Sequence, residues 1–320
     1  MQVLPAAPSI AGLTAVVTGG SRGLGLLMAR QLLLRGCDVV LLARDAAELD
    51  RAVGNLGRAG VRGVVCDVRD GAAVRECFDE IARHHGRLDI VLANAGIIQV
   101  GPAEALGAEG FRDAMDAIFR GALNTALAAL PHLRRSPAGG RLALIGSVGG
   151  LLAVPHLLPY SCAKSAVAAL AEGLHAEEAA HGVTVTGVHP GLMRTGSHLH
   201  ARFGGDRRRE YAWFQALAGA PVLSMNAERA AERIVSAVQR RRPRIALTPA
   251  AKLGVAAHGV APVLTTRLVS AVSRLLPRGG GSGTAEGLRI EAEDQPPARR
   301  LRGVLGLLNE RAAGRFNQRG

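Results

Sequence analysis

Tyr160 and Lys164 are two rare residues of this chain that stand four positions apart. The 320 residues include only two tyrosines and two lysines, so chance gives a poor account of the spacing. They stand at the start of a stretch, 161–180, whose pattern predicts a helix, and a spacing of four places both side chains on one helix face. A tyrosine with its ordinary pKa of about 10 is a slow acid or base at neutral pH. A neighbouring ammonium stabilises the phenolate and lowers that pKa, which makes the pair a candidate for proton transfer.

A glycine-rich stretch near the N-terminus is a candidate phosphate site. It follows the first predicted strand, precedes a helical pattern at 26–34, and reads Thr18-Gly19-Gly20-Ser21-Arg22-Gly23-Leu24-Gly25. Glycines let the chain turn sharply and let its backbone approach a pyrophosphate, which then lies on the amides of the helix N-terminus. Between a strand and a helix of a βαβ unit, this pattern indicates dinucleotide binding.

The end of the second predicted strand distinguishes the two nicotinamide dinucleotides. An acidic residue there binds the ribose 2′-hydroxyl of NAD, whereas an arginine accepts the 2′-phosphate of NADP. The sequence places neutral Ala43 at that position and Arg44 next to it, with Arg22 as a second candidate for the phosphate clamp. These residues favour NADP (NADPH). Two observations keep NAD open as the less favoured alternative. Asp45 follows at once, and in an arginine-rich chain both arginines also fit a solvated surface.

Short apolar segments that alternate with long helical patterns must position these residues. The segments lie at 14–18, 38–43, 61–66, 89–93, 141–146, 183–189 and 244–247. Strands separated by helices of crossover length predict right-handed βαβ units. The expected fold class is therefore α/β, a Rossmann-like doubly wound parallel sheet with helices on both faces, plus a C-terminal helical extension. A core of Ala, Val and Leu suits that packing, since 48% of the residues are hydrophobic and only 3% are aromatic.

Over residues 12–250 the sequence resembles the short-chain dehydrogenase/reductase family. The glycine-rich stretch has the family's Gly-x3-Gly-x-Gly spacing, and Tyr160 and Lys164 match its Tyr-x-x-x-Lys pair. The other matches are Asp67-Val68, Asn94-Ala95-Gly96, Ser147 thirteen residues before the tyrosine, and Pro190-Gly191 with Thr195 beyond. This combination is far more specific than a glycine-rich stretch alone.

The resemblance implies a role for each matched residue. Ser147 binds the substrate oxygen, Tyr160 transfers the proton, and Lys164 also holds the hydroxyls of the nicotinamide ribose. The implied cofactor-binding residues are Gly19, Ser21, Arg22, Gly23, Leu24, Gly25, Arg44, Asp67, Val68, Asn94, Tyr160, Lys164, Pro190, Gly191 and Thr195. No metal is expected.

One position departs from the family pattern. The family commonly completes a proton relay with an asparagine in the preceding long helix, a few residues before a glycine that matches Gly121, and Ile118 occupies that place here. Either the register has slipped and a nearby polar residue such as Asn124 substitutes, or the relay runs through water differently.

The implied function is an NADP-dependent oxidoreductase that interconverts a carbonyl and a secondary alcohol by hydride transfer, on an apolar or lipid-like small molecule. A different hypothesis is a catalytically idle NADP-binding protein that senses redox state, which Ile118 weakly favours. Ser147 and Tyr160 argue against it, because a pure binder needs neither. Nucleic acid is not an expected partner, since the basic part of the chain lacks an aromatic platform and a recognisable reading motif.

The chain divides into a catalytic unit and an extension. Residues 1–250 are predicted to form the NADP-binding catalytic domain, within which 191–226 is the substrate segment. An apolar or amphipathic helical segment at 251–277, a flexible linker at 278–300 and a basic amphipathic tail at 301–320 are predicted to follow. Residues 201–320 carry 21 Lys and Arg against 9 Asp and Glu, so they hold nearly all of the net charge of +13.

Apolar stripes edged with arginine indicate that the extension contacts an anionic membrane surface. The first stripe repeats Leu264, Leu268, Val272 and Leu275. The second repeats Leu301, Val304, Leu305, Leu308 and Ala312, flanked by Arg300, Arg302, Arg311 and Arg315. The run 253–266 without charged residues is shorter than the roughly 20 residues of a spanning helix, so attachment is expected to be peripheral. An almost equally favoured alternative is that these helices cover the substrate cleft or a partner subunit.

The remaining features indicate an intracellular protein. The N-terminus has no basic region followed by a long apolar run, so no secretory signal is predicted and the expected location is the cytoplasm, with peripheral contact to the membrane. The four cysteines, at 37, 66, 77 and 162, show neither a Cys-x-x-Cys pair nor metal-ligand spacing, which indicates reduced structural thiols. The expected assembly is a homo-oligomer.

Overall fold

The computed structural model describes residues 7–57, 59–219, 224–279, 281–293 and 312–318. The strands are β1 (Thr14–Thr18), β2 (Asp38–Ala43), β3 (Val61–Val65), β4 (Ile90–Ala93), β5 (Gln99–Val100), β6 (Arg141–Ile145), β7 (Thr184–His189), β8 (Leu192–Arg194), β9 (Arg202–Gly205), β10 (Ser224–Asn226), β11 (Arg244–Ala246) and β12 (Gly281–Glu286). The α-helices are α1 (Gly23–Leu33), α2 (Ala46–Leu56), α3 (Gly71–His85), α4 (Ala103–Ala114), α5 (Gly121–Leu133), α6 (Leu158–Glu178), α7 (Arg207–Gly219), α8 (Ala227–Gln239), α9 (Pro249–Val260), α10 (Pro262–Ser273) and α11 (Gly287–Glu293). A π-helix, Met115–Arg120, joins α4 to α5.

Seven parallel strands form the central sheet, in the order β11-β7-β6-β4-β1-β2-β3. They coincide with the seven predicted segments, and their ends differ from the predicted ends by at most one residue. Strands covered on both faces need continuous apolar residues, and β4 and β6 are buried along their whole length. The predicted Rossmann-like fold is confirmed. The strand order reverses between β1 and β4, so their carboxyl ends border a crevice where such folds bind ligands.

Helices cover both faces of the sheet and bury a core built mostly from Ala, Val and Leu. On one face α1 and α8 contribute Met28 and Ile234 to a cluster that continues into β1. On the other face α3, α5 and α6 contribute Phe78, Leu130 and Val167. Phe78 is fully buried, and truncating such a phenylalanine to alanine costs about 3–5 kcal/mol. This packing fixes the points at which the loops emerge beside the crevice.

The predicted substrate segment, 191–226, folds over the crevice. It contains β8, β9, β10 and α7. In a separate three-stranded sheet, β9 pairs with β5 on one side and with β12 on the other. The covering segment is therefore joined both to the loop after β4 and to the C-terminal extension.

The predicted flexible linker at 278–300 differs from the structure. Within it, β12 pairs with β9 in antiparallel orientation, and α11 follows. The sequence of β12, Gly-Ser-Gly-Thr-Ala-Glu, has no apolar alternation and so does not predict a strand. Backbone hydrogen bonds to β9, and not buried side chains, hold this strand. Ile290 of α11 is buried beside Phe203, which anchors this part of the extension to the covering segment. Residues 294–300, with their two prolines, lie outside the described residues.

The predicted helical segment 251–277 forms two helices, α9 and α10, that meet at Ala261, whose backbone is not helical. His258 and Thr265 join the two helices through a contact of 2.7 Å between Nδ1 and Oγ1. Of the residues of α9 and α10, all of which the structure describes, only Ala251 is buried. Within the described part of the chain, no helix combines the length and the apolar character needed to cross a bilayer.

The predicted basic tail, 301–320, is described in part. Residues 301–311, and with them most of the second apolar stripe, lie outside the described residues. Residues 312–318, which we name the C-terminal segment, pack against the catalytic unit. Ala312 and Phe316 are buried in the same cluster as α1, whereas Arg315 is exposed and pairs with Glu228 at 2.9 Å.

Candidate functional site

A cavity of about 640 Å³ opens at the carboxyl ends of the central strands, where the reversal of strand order predicts a ligand site. The predicted site residues that line it are Gly19, Ser21, Arg22, Gly23, Leu24, Arg44, Asp67, Val68, Asn94, Ser147, Tyr160, Lys164, Pro190, Gly191 and Thr195. Gly25 is the exception, because it lies behind the loop, where a Cβ would collide with the backbone oxygen of Gly19. Its role is to let α1 pack closely on the loop.

The glycine-rich loop fits a pyrophosphate. Gly19 has a φ of +63°, in the left-handed region that favours glycine, and a Cβ there would lie 2.9 Å from the Cα of Ala95. Helix α1 begins at Gly23, and among the described residues no side chain caps its N-terminus. The backbone N–H of Gly23 donates to the oxygen of Phe316 at 2.9 Å. The N–H groups of Leu24 and Gly25, which follow it in the first turn, are oriented to bind an anion, and the helix dipole favours negative charge at this point. The residues present fit the phosphates of a dinucleotide.

Asn94 holds the glycine-rich loop from the neighbouring strand. Its Nδ2 donates to the backbone oxygens of Thr18 and Gly19, both at 3.1 Å. Its own backbone N–H donates to the Thr18 Oγ1 at 3.0 Å. The side chain thus couples the end of β4 to the end of β1. The structure assigns Asn94 a positioning role in the cofactor site, alongside its place in the cavity wall.

Arg22 and Ser21 of the loop converge on one carboxylate of α2. Arg22 Nη1 donates to Glu48 Oε1 at 2.7 Å, and Ser21 Oγ donates to Glu48 Oε2 at 2.6 Å. Arg22 Nη1 also lies 3.0 Å from the Nδ1 of His200, in the covering segment. The guanidinium that the sequence predicts as a phosphate clamp is therefore held in place from two sides.

Arg44 and Asp45 have different roles in the structure. The Arg44 side chain is exposed at the cavity, and its Nη1 lies 4.0 Å from the Asp67 Oδ2. Asp45 caps α2, because its Oδ1 accepts from the backbone N–H of Glu48 at 2.8 Å. The Asp45 carboxylate, which in the sequence is an argument for NAD, thus caps the start of α2. The Arg44 guanidinium is accessible to a ligand.

Ser147 and Tyr160 are brought together by β6 and α6. Ser147 follows β6, where its Oγ accepts from the backbone N–H of Gly149 at 3.0 Å. Tyr160 lies in the first turn of α6, and its hydroxyl shares a hydrogen bond with Ser147. Burial raises the pKa of Tyr160 above its ordinary value, and the hydrogen bond with Ser147 lowers it in part. The tyrosine is therefore a protonated acid at neutral pH.

Lys164 lies one helical turn after Tyr160, with its Nζ 5.7 Å from the centroid of the tyrosine ring. The Nζ donates to the backbone oxygen of Ile145 at 2.6 Å, at the end of β6. Burial lowers the pKa of Lys164 to about 8. The sequence predicts that this ammonium lowers the pKa of Tyr160. In the structure, burial is the largest influence on both groups, and it raises the pKa of Tyr160.

Ile118 occupies the position where the resemblance places an asparagine. It is buried on the π-helix, and a Cβ added to Gly96 would lie 3.5 Å from its Cγ1 and 3.9 Å from the Lys164 Nζ. An apolar side chain thus packs in the neighbourhood of the lysine. Asn124 is the wrong substitute, because its Nδ2 donates to the backbone oxygen of Val68 at 2.8 Å and holds the loop after β3. A relay through Asn124 is therefore not expected.

Several residues that line the cavity are absent from the predicted site, among them Glu48, His200 and Gln318. Glu48 has a local signal, since it lies in the first turn of the helix that Asp45 caps. His200 lies in the predicted substrate segment and has no motif of its own. Gln318 belongs to the C-terminal segment, and local patterns carry no information on so distant a contact.

Comparisons with known proteins agree with this geometry. The family described as short chain dehydrogenase matches residues 13–202. Gluconate 5-dehydrogenase of Gluconobacter oxydans (strain 621H) is 35% identical over 190 residues, which are 58% of this chain and 73% of the relative. Hydroxynaphthalene reductase arp2 of Aspergillus fumigatus is 30% identical over 208 residues, which are 64% of this chain and 71% of the relative. The crystal structure of a short-chain dehydrogenase from Streptomyces avermitilis has a TM-score of 0.71 at 27% identity, and the match covers 83% of this chain and 99% of that one.

Proposed function

The chain belongs to the short-chain dehydrogenase family of oxidoreductases, which act on CH–OH and C=O groups with NAD(P), and we propose that it interconverts a carbonyl and a secondary alcohol with NADP. The observation that carries this proposal is the meeting of Ser147, Tyr160 and Lys164 at the wall of one cavity, together with the glycine-rich loop. A dinucleotide site alone would need neither the serine nor the tyrosine.

The side chains divide the chemistry among them. When bound, the cofactor supplies or accepts a hydride. In the reducing direction, Ser147 holds the carbonyl oxygen of the substrate and Tyr160 donates its proton to that oxygen as negative charge develops there. The hydrogen bond between the two hydroxyls lets Ser147 stabilise the tyrosinate that remains. Lys164, anchored on the Ile145 oxygen, stabilises the same anion with its ammonium.

We propose NADP over NAD on three observations. Ala43 ends β2 without a carboxylate, Arg44 is exposed at the cavity, and Asp45 is engaged as a helix cap. Arg22 faces the same end of the cavity and is held by Glu48. Two guanidinium groups suit a 2′-phosphate, which has three acceptor oxygens and a charge that a ribose hydroxyl lacks.

We propose an apolar substrate on the basis of the side chains around Tyr160. The tyrosine ring belongs to a hydrophobic cluster that includes Ile98, Val154 and Trp213. The Trp213 Nε1 donates to Glu210 at 2.6 Å, so the polar group of the indole is already satisfied. Burying apolar substrate surface against such residues stabilises the complex by about 25 cal/mol per Å².

A screen of NADPH oxidation tests the function. The purified full-length protein is expected to turn over apolar ketones, aldehydes or acyl substrates faster than polar sugar acids. Tight binding of NADPH without turnover of any carbonyl, and without turnover of the corresponding alcohols in the presence of NADP, would favour the alternative function of a redox sensor. Ile118 weakly favours this second candidate, because it stands where the resemblance places the asparagine of the proton relay.

We further propose that α9 and α10 contact an anionic membrane surface. Their exposed apolar side chains are Leu253, Val260, Val263, Leu264, Leu268 and Val272. Residues 249–279 contain four Lys and Arg and no Asp or Glu, so the charge around these apolar residues has a single sign. Exposed apolar side chains among cations suit the boundary between acyl chains and anionic headgroups, where each nearby basic residue adds about 1 kcal/mol.

The location and the assembly stay predictions. A cytoplasmic protein in peripheral contact with a membrane is the expectation, and fractionation of cells into cytosol and membranes checks it. A homo-oligomer is expected as well, and analytical ultracentrifugation without detergent measures it.

A further inference from the structure

The C-terminal segment lies across the glycine-rich loop. The backbone N–H of Gly23 donates to the oxygen of Phe316 at 2.9 Å. The Asn317 Nδ2 donates to the oxygen of Ser21 at 2.8 Å and to the oxygen of Glu48 at 3.1 Å. One segment from the end of the chain thus binds both the loop after β1 and the first turn of α2.

Gln318 brings a polar side chain from this segment into the cavity wall. Only 3% of its surface is exposed, and its Nε2 lies 2.7 Å from the position that a Cβ on Gly23 would take. Its Oε1 is buried and has no hydrogen-bond partner within the described residues. A buried acceptor without a partner is unfavourable, and a ligand with a hydrogen-bond donor would satisfy it. The side chain therefore indicates a ligand that accepts at one point and donates at another.

His200 fixes the backbone of Gln318 at the same place. Its Nε2 lies 2.9 Å from the oxygen of Gln318, and its Nδ1 lies 3.0 Å from the Arg22 Nη1. Since both partners have fixed roles, His200 donates from Nε2 and accepts at Nδ1. The covering segment, the glycine-rich loop and the C-terminal segment are thus joined around one imidazole.

We propose that the C-terminal segment forms part of the cofactor site and that Gln318 binds the diphosphate and ribose portion of the dinucleotide. This inference rests on the proposed function. The carboxamide N–H group lies beside the start of α1, where phosphate oxygens bind, and the buried Oε1 is an acceptor for a ribose hydroxyl. Gln318 lines the cavity and leaves about 640 Å³ open, so the segment is a wall of the site and not its plug.

Equilibrium titration of the full-length protein with NADPH and NADH tests the inference, with cofactor fluorescence as the signal. Gln318→Ala is expected to weaken both cofactors about tenfold, because a hydrogen bond to a charged group is lost. Gln318→Glu should weaken both further, since it places a carboxylate beside the phosphates. The preference between the cofactors should stay unchanged, because both contain the diphosphate. Arg315→Gln is the matched control, as Arg315 belongs to the same segment and pairs outside the cavity.

The outcomes separate the inference from the function on which it rests. Wild-type protein that binds neither cofactor would contradict the proposed function. If the wild-type protein binds NADPH and Gln318→Ala binds it equally well or more tightly, the inference alone is overturned. Tighter binding by the variant would show that the segment obstructs the site. If a variant does not fold, hydrogen exchange of residues 312–318 in the wild-type protein tests the inference in its place. Slower exchange with NADPH is expected, and unchanged or faster exchange overturns the proposal.

Discussion

At the wall of the cavity, the carboxylate of Glu48 accepts from the guanidinium of Arg22 at 2.7 Å. The same carboxylate accepts from Ser21, so the first turn of α2 is tied to the glycine-rich loop. An arginine held in this way loses less conformational entropy when a phosphate binds than a freely rotating one does. Under the proposed dependence on NADP, the pair holds Arg22 in place for the 2′-phosphate, and the cofactor preference can be tested at a few side chains.

The cofactor preference is expected to depend on Arg44. Arg44→Asp should abolish the preference for NADPH over NADH, because it replaces a cation with a carboxylate that repels the 2′-phosphate and accepts from a ribose hydroxyl. Competitive fluorescence titration measures both affinities. Arg51→Asp makes the same charge change at an exposed position of α2 outside the cavity, and it should leave the preference intact. Equal affinity of the wild-type protein for both cofactors would contradict the assignment of NADP.

The Tyr160 hydroxyl is expected to be needed for turnover and not for cofactor binding. Tyr160→Phe should lower kcat by at least about a hundredfold, because general acid catalysis contributes that much or more. The cofactor affinity should change little, since the ring remains. Steady-state kinetics and a binding titration on the same preparation separate the two effects. A Tyr160→Phe protein with near wild-type turnover would overturn the mechanism.

Lys164 should give the cofactor-free protein a stability that rises at alkaline pH. Burial lowers its pKa to about 8 from an ordinary value of 10.5, so between these values the unfolded chain binds more protons than the folded one. The free energy of unfolding of the wild-type protein should therefore rise across that window by about 3 kcal/mol relative to Lys164→Met. Below pH 8 the full cost of the buried ammonium applies. Urea unfolding of both proteins at several pH values measures the difference, and parallel pH curves would contradict it.

Asn124 is expected to contribute to stability and not to proton transfer. Asn124→Ala removes the hydrogen bond to the Val68 oxygen and should lower the free energy of unfolding by about 1–3 kcal/mol. The chemical step, measured in single turnovers below the melting temperature, should keep its wild-type rate and pH profile. A changed pH profile would show that Asn124 takes part in the relay.

Vesicle flotation tests the proposed membrane contact of α9 and α10. Wild-type protein should float with anionic vesicles at low salt and lose much of that binding at high salt. The double variant Leu264→Ser and Leu268→Ser should lose it, whereas Leu127→Ser, which changes a similarly exposed leucine on α5, should not. Point variants are preferable to deletion of the extension, because deletion also removes the C-terminal segment from the cofactor site.

Two outcomes of the flotation experiment would contradict the membrane contact. Wild-type protein that ignores anionic vesicles at low salt is the first. The second is a dimer in solution that the double leucine variant converts to a monomer, since a second copy would then cover α9 and α10.

The central sheet and most of the site are readable from the sequence because both follow local rules. Each strand of the sheet is a short apolar run, and a parallel sheet places the carboxyl ends of its strands at one edge. The residues after β1, β4 and β6 therefore had to meet. Tyr160 and Lys164 needed only a helix to share a face.

The features that the sequence did not reveal depend on contacts between distant segments. Strand β12 is held by backbone bonds to β9, and its glycines and serine resemble a linker. Gln318 reaches the cavity because both of its neighbours bind the glycine-rich loop: the Phe316 backbone oxygen accepts from the Gly23 N–H, and the Asn317 Nδ2 donates to the Ser21 oxygen. The π-helix gives no periodic signal either, because one extra residue in a turn changes the register without changing the composition.

The position of β9 between β5 and β12 limits how the covering segment can move when substrate enters or leaves the cavity. A strand bonded along both edges cannot swing outward like a flap, since opening would break two ladders at once. Motion that admits substrate is therefore expected in α7, which borders β9 and has exposed arginines in its first turn. Amide protons of β9 should exchange as slowly as those of the central sheet, and the rate of product release should respond to the stiffness of α7.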